Sequence, residues 1–193
     1  MRKIKNFAMM LVMMMAAAVS FTSCEIDGDV HRSTHLSGIW EGDFGMYYEH
    51  PRYGRFDSYD TYIEFYPDYD YATHGYGKQC DWYAKGPYEY QYYTFNWEIH
   101  NGVIYLSYPY DHNLDTEIYD YSMSGSYFTG YFGGSNSRFR LRKCSDYYWS
   151  NYHNNYDYGW RDGYYYAKTR AVDGQPDEGM RRGNRFTEAE TNE

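Results

Sequence analysis

The feature that most constrains this chain is a two-residue alternation in residues 92–102, YYTFNWEIHNG. Tyr93, Phe95, Trp97 and Ile99 fall on one side of it, and Thr94, Asn96, Glu98 and His100 on the other. A period of two is the signature of a strand with one buried face, because successive side chains point to opposite sides of a sheet. The run ends at Asn101-Gly102, the pair that best tolerates the positive φ angles of a two-residue hairpin turn. VIYLSYPY (103–110) then reads as the returning strand.

The same pattern recurs between residues 36 and 144. GIWEGDFG (38–45) sets Trp40 and Phe44 against Glu41 and Asp43. YDTYIEFYPD (59–68) groups Tyr59, Thr61, Ile63 and Phe65 and stops at Pro67. YATHGYGKQCDWY (71–83) follows, and DTEIYDYSM (115–123) and GSYFTGYFGG (125–134) pair around Ser124-Gly125. SRFRLRK (137–143) places Phe139 and Leu141 opposite Arg138, Arg140 and Arg142. About eight strands joined mostly by tight turns close most economically as an up-and-down barrel, which removes exposed edges. The expected fold is all-β: one antiparallel up-and-down barrel over residues 36–144.

Aliphatic residues are too few to fill such a barrel. Beyond residue 23 there are 4 Leu, 6 Ile, 3 Val and 8 Phe, or 21 of 170 residues, a share that with high net charge ordinarily signals disorder. The 29 Tyr and 5 Trp take their place, each ring burying roughly 150–250 Å² while keeping a polar end that needs a partner. Trp40, Phe65, Tyr93, Phe95 and Trp97 are the expected inward set. Trp82 and Tyr83 are expected at the mouth, exposed for stacking on a sugar or another ring. An eight-stranded barrel is wide enough either to be filled or to hold one small ligand.

The amino terminus has a different character. Arg2, Lys3 and Lys5 precede an apolar run from Phe7 to Val19, too short to span a bilayer and suited to a secretory signal. Small residues then lead to Cys24, and FTSC resembles the lipobox of bacterial lipoproteins, with Phe21 at the position where Leu is usual. That resemblance implies a signal peptide over 1–23 and acyl chains on Cys24; the other reading is an ordinary signal peptide and a plain thiol. EIDGD (25–29) is similar to the acidic export signal of surface lipoproteins of the Bacteroidota, which implies an outer-membrane, cell-surface location. Residues 24–35 are expected to be a flexible tether.

The first strand carries a second resemblance. SGIWEG, with Gly38 and Trp40, is similar to the Gly-x-Trp start of lipocalin-like proteins. It implies a tryptophan plugging the closed end of the barrel, with a last-strand arginine packed across it. Arg140 and Arg142 are the candidates, although alternation points both outward.

After Cys144, SDYYWSNYHNNYDYGWRDGYYY (145–166) packs 8 Tyr and 2 Trp into 22 residues. It is expected to cover the barrel wall, to stay mobile, or to form an adhesive strip. Residues 167–193 are charged and nearly without apolar side chains, the composition of disorder. Cys80 and Cys144 either pair in an oxidising compartment or remain thiols.

No enzyme is expected, nor a cofactor or metal. His31 and His35 have helical spacing but lack the glutamate of a metalloprotease helix, and no phosphate-binding loop, dinucleotide fingerprint or nucleophile elbow occurs. Loss of the three basic residues of the signal leaves 15 basic against 27 acidic residues, a formal −12 that argues against nucleic acid as a partner. Two functions remain: an anchored barrel binding a small hydrophobic or glycan ligand, or a structural subunit contacting a protein partner through its Tyr-rich exterior.

Overall fold

A computed structural model describes residues 28–152, 154–164 and 179–188; the signal segment and Cys24 lie outside the described residues. Twelve strands are present among them: β1 (Gly38–Asp43), β2 (Met46–His50), β3 (Gly54–Asp57), β4 (Asp60–Pro67), β5 (His74–Trp82), β6 (Tyr88–His100), β7 (Val103–Ser107), β8 (Thr116–Met123), β9 (Tyr127–Phe132), β10 (Arg138–Cys144), β11 (Tyr156–Trp160) and β12 (Arg181–Asn184). Eight close into an antiparallel barrel in the order β1-β4-β5-β6-β7-β8-β9-β10, with β10 returning to β1. These are the eight strands that alternation picks out, and the β6–β7 hairpin turns at Asn101 and Gly102, both with positive φ.

Inward parity follows the side chains that water rejects. Trp40, Ile63, Phe65, Tyr93, Phe95, Trp97, Phe128, Phe139 and Leu141 are all buried in one core. Tyr59 is the exception to its expected face; it precedes β4 and is exposed. Two inward positions of β5 are empty of side chain: Gly75 and Gly77 sit opposite Trp97 and Phe95 of β6. A methyl group at Gly77 would stand 2.1 Å from the Phe95 ring. The bare backbone there leaves room for both rings, and the Trp97 indole donates to the Tyr66 and Tyr76 carbonyls.

The closed end is capped by a helix, α1, over residues 28–36. It is tied to the hairpin turns beneath it: Asp29 accepts from the Gly102 amide at 3.0 Å, and the Ser33 hydroxyl donates to the Ala72 carbonyl. Fully buried Trp40 donates its indole N–H to the Leu36 carbonyl at 2.7 Å. The cation over this ring is neither Arg140 nor Arg142. Arg140 stacks on Tyr127, and Arg142 reaches Glu41 on the outer wall. Lys143 takes the place, its Nζ 4.7 Å from the Trp40 ring and hydrogen-bonded to the Ser37 carbonyl.

Order extends further at both ends than composition suggests. Residues 28–35, part of the 24–35 stretch expected as tether, fold into α1 with Leu36 because Ser33 and Leu36 have buried partners even though the segment lacks an apolar stripe. Residues 181–184, within the stretch expected to be disordered, form β12 by backbone pairing with β2, giving a second sheet of order β12-β2-β3 over the mouth. β11, from the Tyr-rich stretch, pairs with the first half of β6. The preceding residues cover the outer wall: Tyr147 stacks on Tyr62, and Tyr152 on Tyr92.

Cys80 and Cys144 are free thiols. β4 and β1 lie between their strands, a separation of roughly 14 Å along the sheet at ~4.8 Å per strand, beyond the ~7 Å between Cα atoms that a disulfide bridges. Burial pushes both thiols up to about 12. Neither should react with iodoacetamide at pH 8 in the folded protein, and both should react after denaturation; mass spectrometry of the alkylated chain reads the outcome. Gly77→Ala should lower stability by about 2 kcal/mol, the usual cost of overpacking a filled core, measured as a shift in urea midpoint at unchanged slope.

Candidate functional site

The barrel interior is filled by packed rings, so a site must be sought where that packing ends. At the mouth, β1, β5, β6 and β9 meet the loop 108–115 and the β12-β2-β3 sheet. Two kinds of ring meet there. Phe44 packs edge-on against Phe132 and Phe139, at 4.8 and 5.2 Å between centroids. Across from them Tyr48 contacts Tyr83 and Tyr88, and Tyr93 contacts Tyr108.

Tyrosine hydroxyls brought this deep require partners. For Tyr93 and Tyr108 the inward parity of β5 supplies them, because after Gly75 and Gly77 come Gln79 and Asp81, both fully buried. Asp81 accepts from Thr61 Oγ1 at 2.6 Å, from Gln79 Nε2 at 3.0 Å and from the Tyr93 hydroxyl. Gln79 in turn accepts from the Tyr108 hydroxyl at 2.7 Å. Burial pushes the Asp81 carboxyl up to about 6, against the lowering effect of its three donors and of nearby Arg182. The same burial holds Tyr93 and Tyr108 well above the ordinary phenol range, so both stay neutral donors.

Above this polar layer lies a recess of about 290 Å³. Its apolar side is Phe44, Met46, Leu114 and Phe132, and its polar side includes Asp115, Thr116, Arg182 and Asn184. Most of these polar groups are already engaged. Asp115 accepts from the Tyr108 amide and meets His112 Nδ1 at 2.9 Å. Asn184 donates to the Phe44 carbonyl and accepts from the Phe186 amide.

Arg182 is different. It is only 9% exposed, its Nε lies 3.1 Å from Asp111, and its guanidinium packs over the Tyr156 and Tyr93 rings at 4.4 and 5.6 Å. Its Nη1 is buried, with the Tyr156 side chain as the guanidinium's neighbour. Asp111 also caps the short 3-10 turn His112–Leu114 by accepting from the Asn113 amide, so one carboxylate holds both the loop and the arginine.

The aromatic residues singled out from sequence divide cleanly. Trp40, Phe65, Tyr93, Phe95 and Trp97 are core; of these Tyr93 alone also reaches the polar layer below the recess. Trp82 faces the outer wall, half-buried, with its indole donating to the Tyr147 hydroxyl at 2.8 Å. Tyr83, expected to be exposed at the mouth, is buried edge-on against Tyr48. The β2-β3 hairpin, which alternation does not pick out, turns the chain back over the mouth and covers it. Glu98 and His100 are exposed on β6, and His31 and His35 form an isolated pair on α1 with 3.2 Å between ring nitrogens. Among the described residues no group of three or more His, Cys, Asp or Glu could hold a metal ion.

Sequence reasoning missed Asp81, Gln79 and Arg182. For the first two a signal exists, since residues 75, 77, 79 and 81 share parity and are glycine or polar throughout. Arg182 has no such signal, standing in a charged stretch. No family model, curated protein or solved structure matches this chain, so its chemistry is read from its own residues.

An aspartate whose folded value exceeds its unfolded value binds more protons when folded, and stability then falls as pH rises between the two values. For Asp81 that window runs from about 3.8 to about 6, and the full loss is roughly 3 kcal/mol. Asp81→Asn should remove this component, leaving the variant with a flatter profile from pH 4 to 6 than the parent. Urea melts across that range measure it.

Proposed function

We propose that this chain is a lipid-anchored, non-catalytic binding module that holds a small polar ligand, such as one sugar of a glycan, at the mouth of its barrel. The observation that carries this reading is the recess of about 290 Å³ lying over a ring-filled interior. Mixed apolar and polar walls at the end of a barrel are the ordinary setting of a small-molecule site. The packed interior speaks against a hydrophobic ligand inside the barrel. The lipocalin-like reading draws support from Trp40 at the closed end with a cation, Lys143, across its ring.

The anchor fits the same picture. Cys24 precedes the first residue of α1 by four positions, about 14 Å of chain at full extension, and α1 lies across the closed end. Acyl chains on Cys24 would hold that end toward the bilayer and present the mouth outward, away from an outer-membrane surface. Cys24→Ser should abolish acyl mass and move the protein from the membrane to the soluble fraction. In the acylated protein on liposomes, hydrogen exchange should slow at the 68–73 and 101–102 turns and stay unchanged at 108–116. Slowing at 108–116 instead would reverse the orientation.

A second reading draws on the outer wall. Tyr66 and Tyr76 stack at 5.0 Å on the outer wall, with Tyr76 exposed. Lys78 bridges this group to Trp149, next to exposed Tyr148. Amphipathic rings in one region suit a protein partner. Tyr76→Ala with Tyr148→Ala should leave a mouth ligand bound and abolish a partner recovered by cross-linking on intact cells; loss of the mouth ligand would refute the assignment of two separate surfaces.

A further inference from the structure

The alternation of β10 that buries Phe139 and Leu141 sets Arg138, Arg140 and Arg142 in a row on the outer wall. Cations in such a row are ordinarily balanced by opposite charges on the neighbouring strand. β1 supplies that balance once: Glu41 is the register partner of Arg142 and bonds to it at 2.7 Å. Asp43, the register partner of Arg140, is engaged with Arg185 instead. β1 ends at Asp43, so Arg138 stands beyond it. On the other side Glu117 and Asp120 of β8 are exposed, and among the described residues neither forms an ion pair with Arg138 or Arg140. Both arginines are exposed cations without a carboxylate, on a chain of formal net charge −9.

What holds these two is β9, whose outward side chains are Tyr127, Thr129 and Tyr131. Arg138 lies over its register partner Tyr131 at 5.6 Å, and Arg140 over Tyr127 at 4.0 Å. Tyr127 is the register partner of Arg142, so Arg140 leans away from Arg138. Stacking uses the flat face of a guanidinium and leaves its edge N–H groups free for a planar acceptor. Between the two rings Thr129 is short, and Ser122 of β8 continues its row. The result is a shallow depression of about 390 Å³ with hydroxyls on its floor and a guanidinium held at each side.

We propose that this depression binds a stretch of acidic polysaccharide, with sugar carboxylates on Arg138 and Arg140 and sugar hydroxyls on Thr129 and Ser122. The site is additional to the mouth recess and lies across the barrel from the Tyr66–Tyr76 stack, β9 being four strands from β5 around the ring. Charge fixes the sign of the ligand, because a carboxylate matches the fork of a guanidinium bidentately. Splay fixes its length. Tyr127 and Tyr131 are separated by about 14 Å of strand, too far for one carboxylate to serve both arginines. The floor fixes its middle, for Phe139, which also lines the depression, keeps its ring in the core. Hydroxyls without an apolar pocket suit a sugar ring and deny an acidic peptide the buried anchors that protein interfaces use. The chain's remaining charge is screened over about 8 Å at physiological ionic strength, so the two nearest cations decide.

The test uses the full chain in detergent micelles with tetragalacturonate, a galactose tetramer and hexaglutamate as probes. Tetragalacturonate should shift the Arg138 and Arg140 side-chain Nε–Hε resonances and the Thr129 amide, leave the 108–115 loop unmoved, and bind more weakly as salt is raised. The galactose tetramer should need about tenfold higher concentration to move the same resonances. Arg138→Gln with Arg140→Gln should abolish the Thr129 shift at unchanged circular dichroism. Arg138→Lys with Arg140→Lys should weaken it about tenfold, because the charge stays and the fork is lost. Hexaglutamate moving the two arginines as strongly as tetragalacturonate would overturn the glycan class in favour of an acidic peptide. Equal potency of the galactose tetramer would overturn the role of charge. Arginines unmoved by tetragalacturonate, shifts confined to the 108–115 loop, or a Thr129 shift retained in the Gln variant would overturn the site itself.

Discussion

Ring against ring is the contact on which this barrel depends. With so few aliphatic side chains, closure relies on edge-to-face packing: Phe128 on Phe139 at 5.0 Å, Phe65 on Phe95 at 5.4 Å, Phe44 on Phe132 at 4.8 Å. Such pairs add roughly 0.5–1.5 kcal/mol each beyond the area they bury. They also demand backbone clearance, which explains why β5 carries glycine where β6 carries Phe95 and Trp97. An aliphatic core would spread that demand over many small contacts. Here it falls on a few positions, and Gly77 is one of them.

The choice of tyrosine over leucine has a second consequence, which is chemical. Each buried phenol brings a hydroxyl, and for Tyr93 and Tyr108 the barrel answers with Asp81 and Gln79 in its own wall. Phenylalanine occupies the β1, β9 and β10 side of the mouth, while tyrosine occupies the β5 and β6 side. The recess lies on the seam between them, with Phe44 and Phe132 on one flank and Tyr108 and Arg182 on the other. A site with one apolar and one polar side is therefore a consequence of how the core was filled. On the outer wall the same residue type does different work. Tyr147 and Tyr152 bond to one another at 2.9 Å and cover Cys80, whose sulfur lies 3.1 Å from the Tyr152 hydroxyl.

Legibility in the sequence depends on whether burial leaves a periodic trace. β6 and β10 announce themselves, because one face of each is packed and the other wet. β2 carries the same trace in Met46, Tyr48 and His50, all buried, but five residues ahead of a Pro-Arg-Tyr turn are easily taken for a loop. β12 carries none: Arg-Arg-Gly-Asn is a strand only because β2 offers it backbone partners, and Arg182 is buried only because Asp111 and two rings receive it. Asp111 and Tyr93 lie some 70 residues or more away along the chain, so no local rule could pair them with Arg182. The polar layer is half legible, its parity visible in β5 but its meaning dependent on Tyr93 and Tyr108 arriving from elsewhere in the chain.

The site and the barrel thus have different origins within one chain. Residues 38–144 close the barrel by pairing each strand with its neighbours, and every one of those pairings is complete without the C-terminal segment. The mouth is finished by β2, β3 and β12, three short strands that form a sheet of their own. A sheet of three four- and five-residue strands has few internal hydrogen bonds, so it sits at the low end of local stability relative to the barrel below. Arg182 helps to fasten it, through Asp111 on the 108–115 loop and Tyr93 and Tyr156 on the barrel side, beside Asn184 on the Phe44 carbonyl and Tyr48 packed on Tyr83 and Tyr88. The same guanidinium also lines the recess, so the wall of the recess and the fastening of its cover share one side chain.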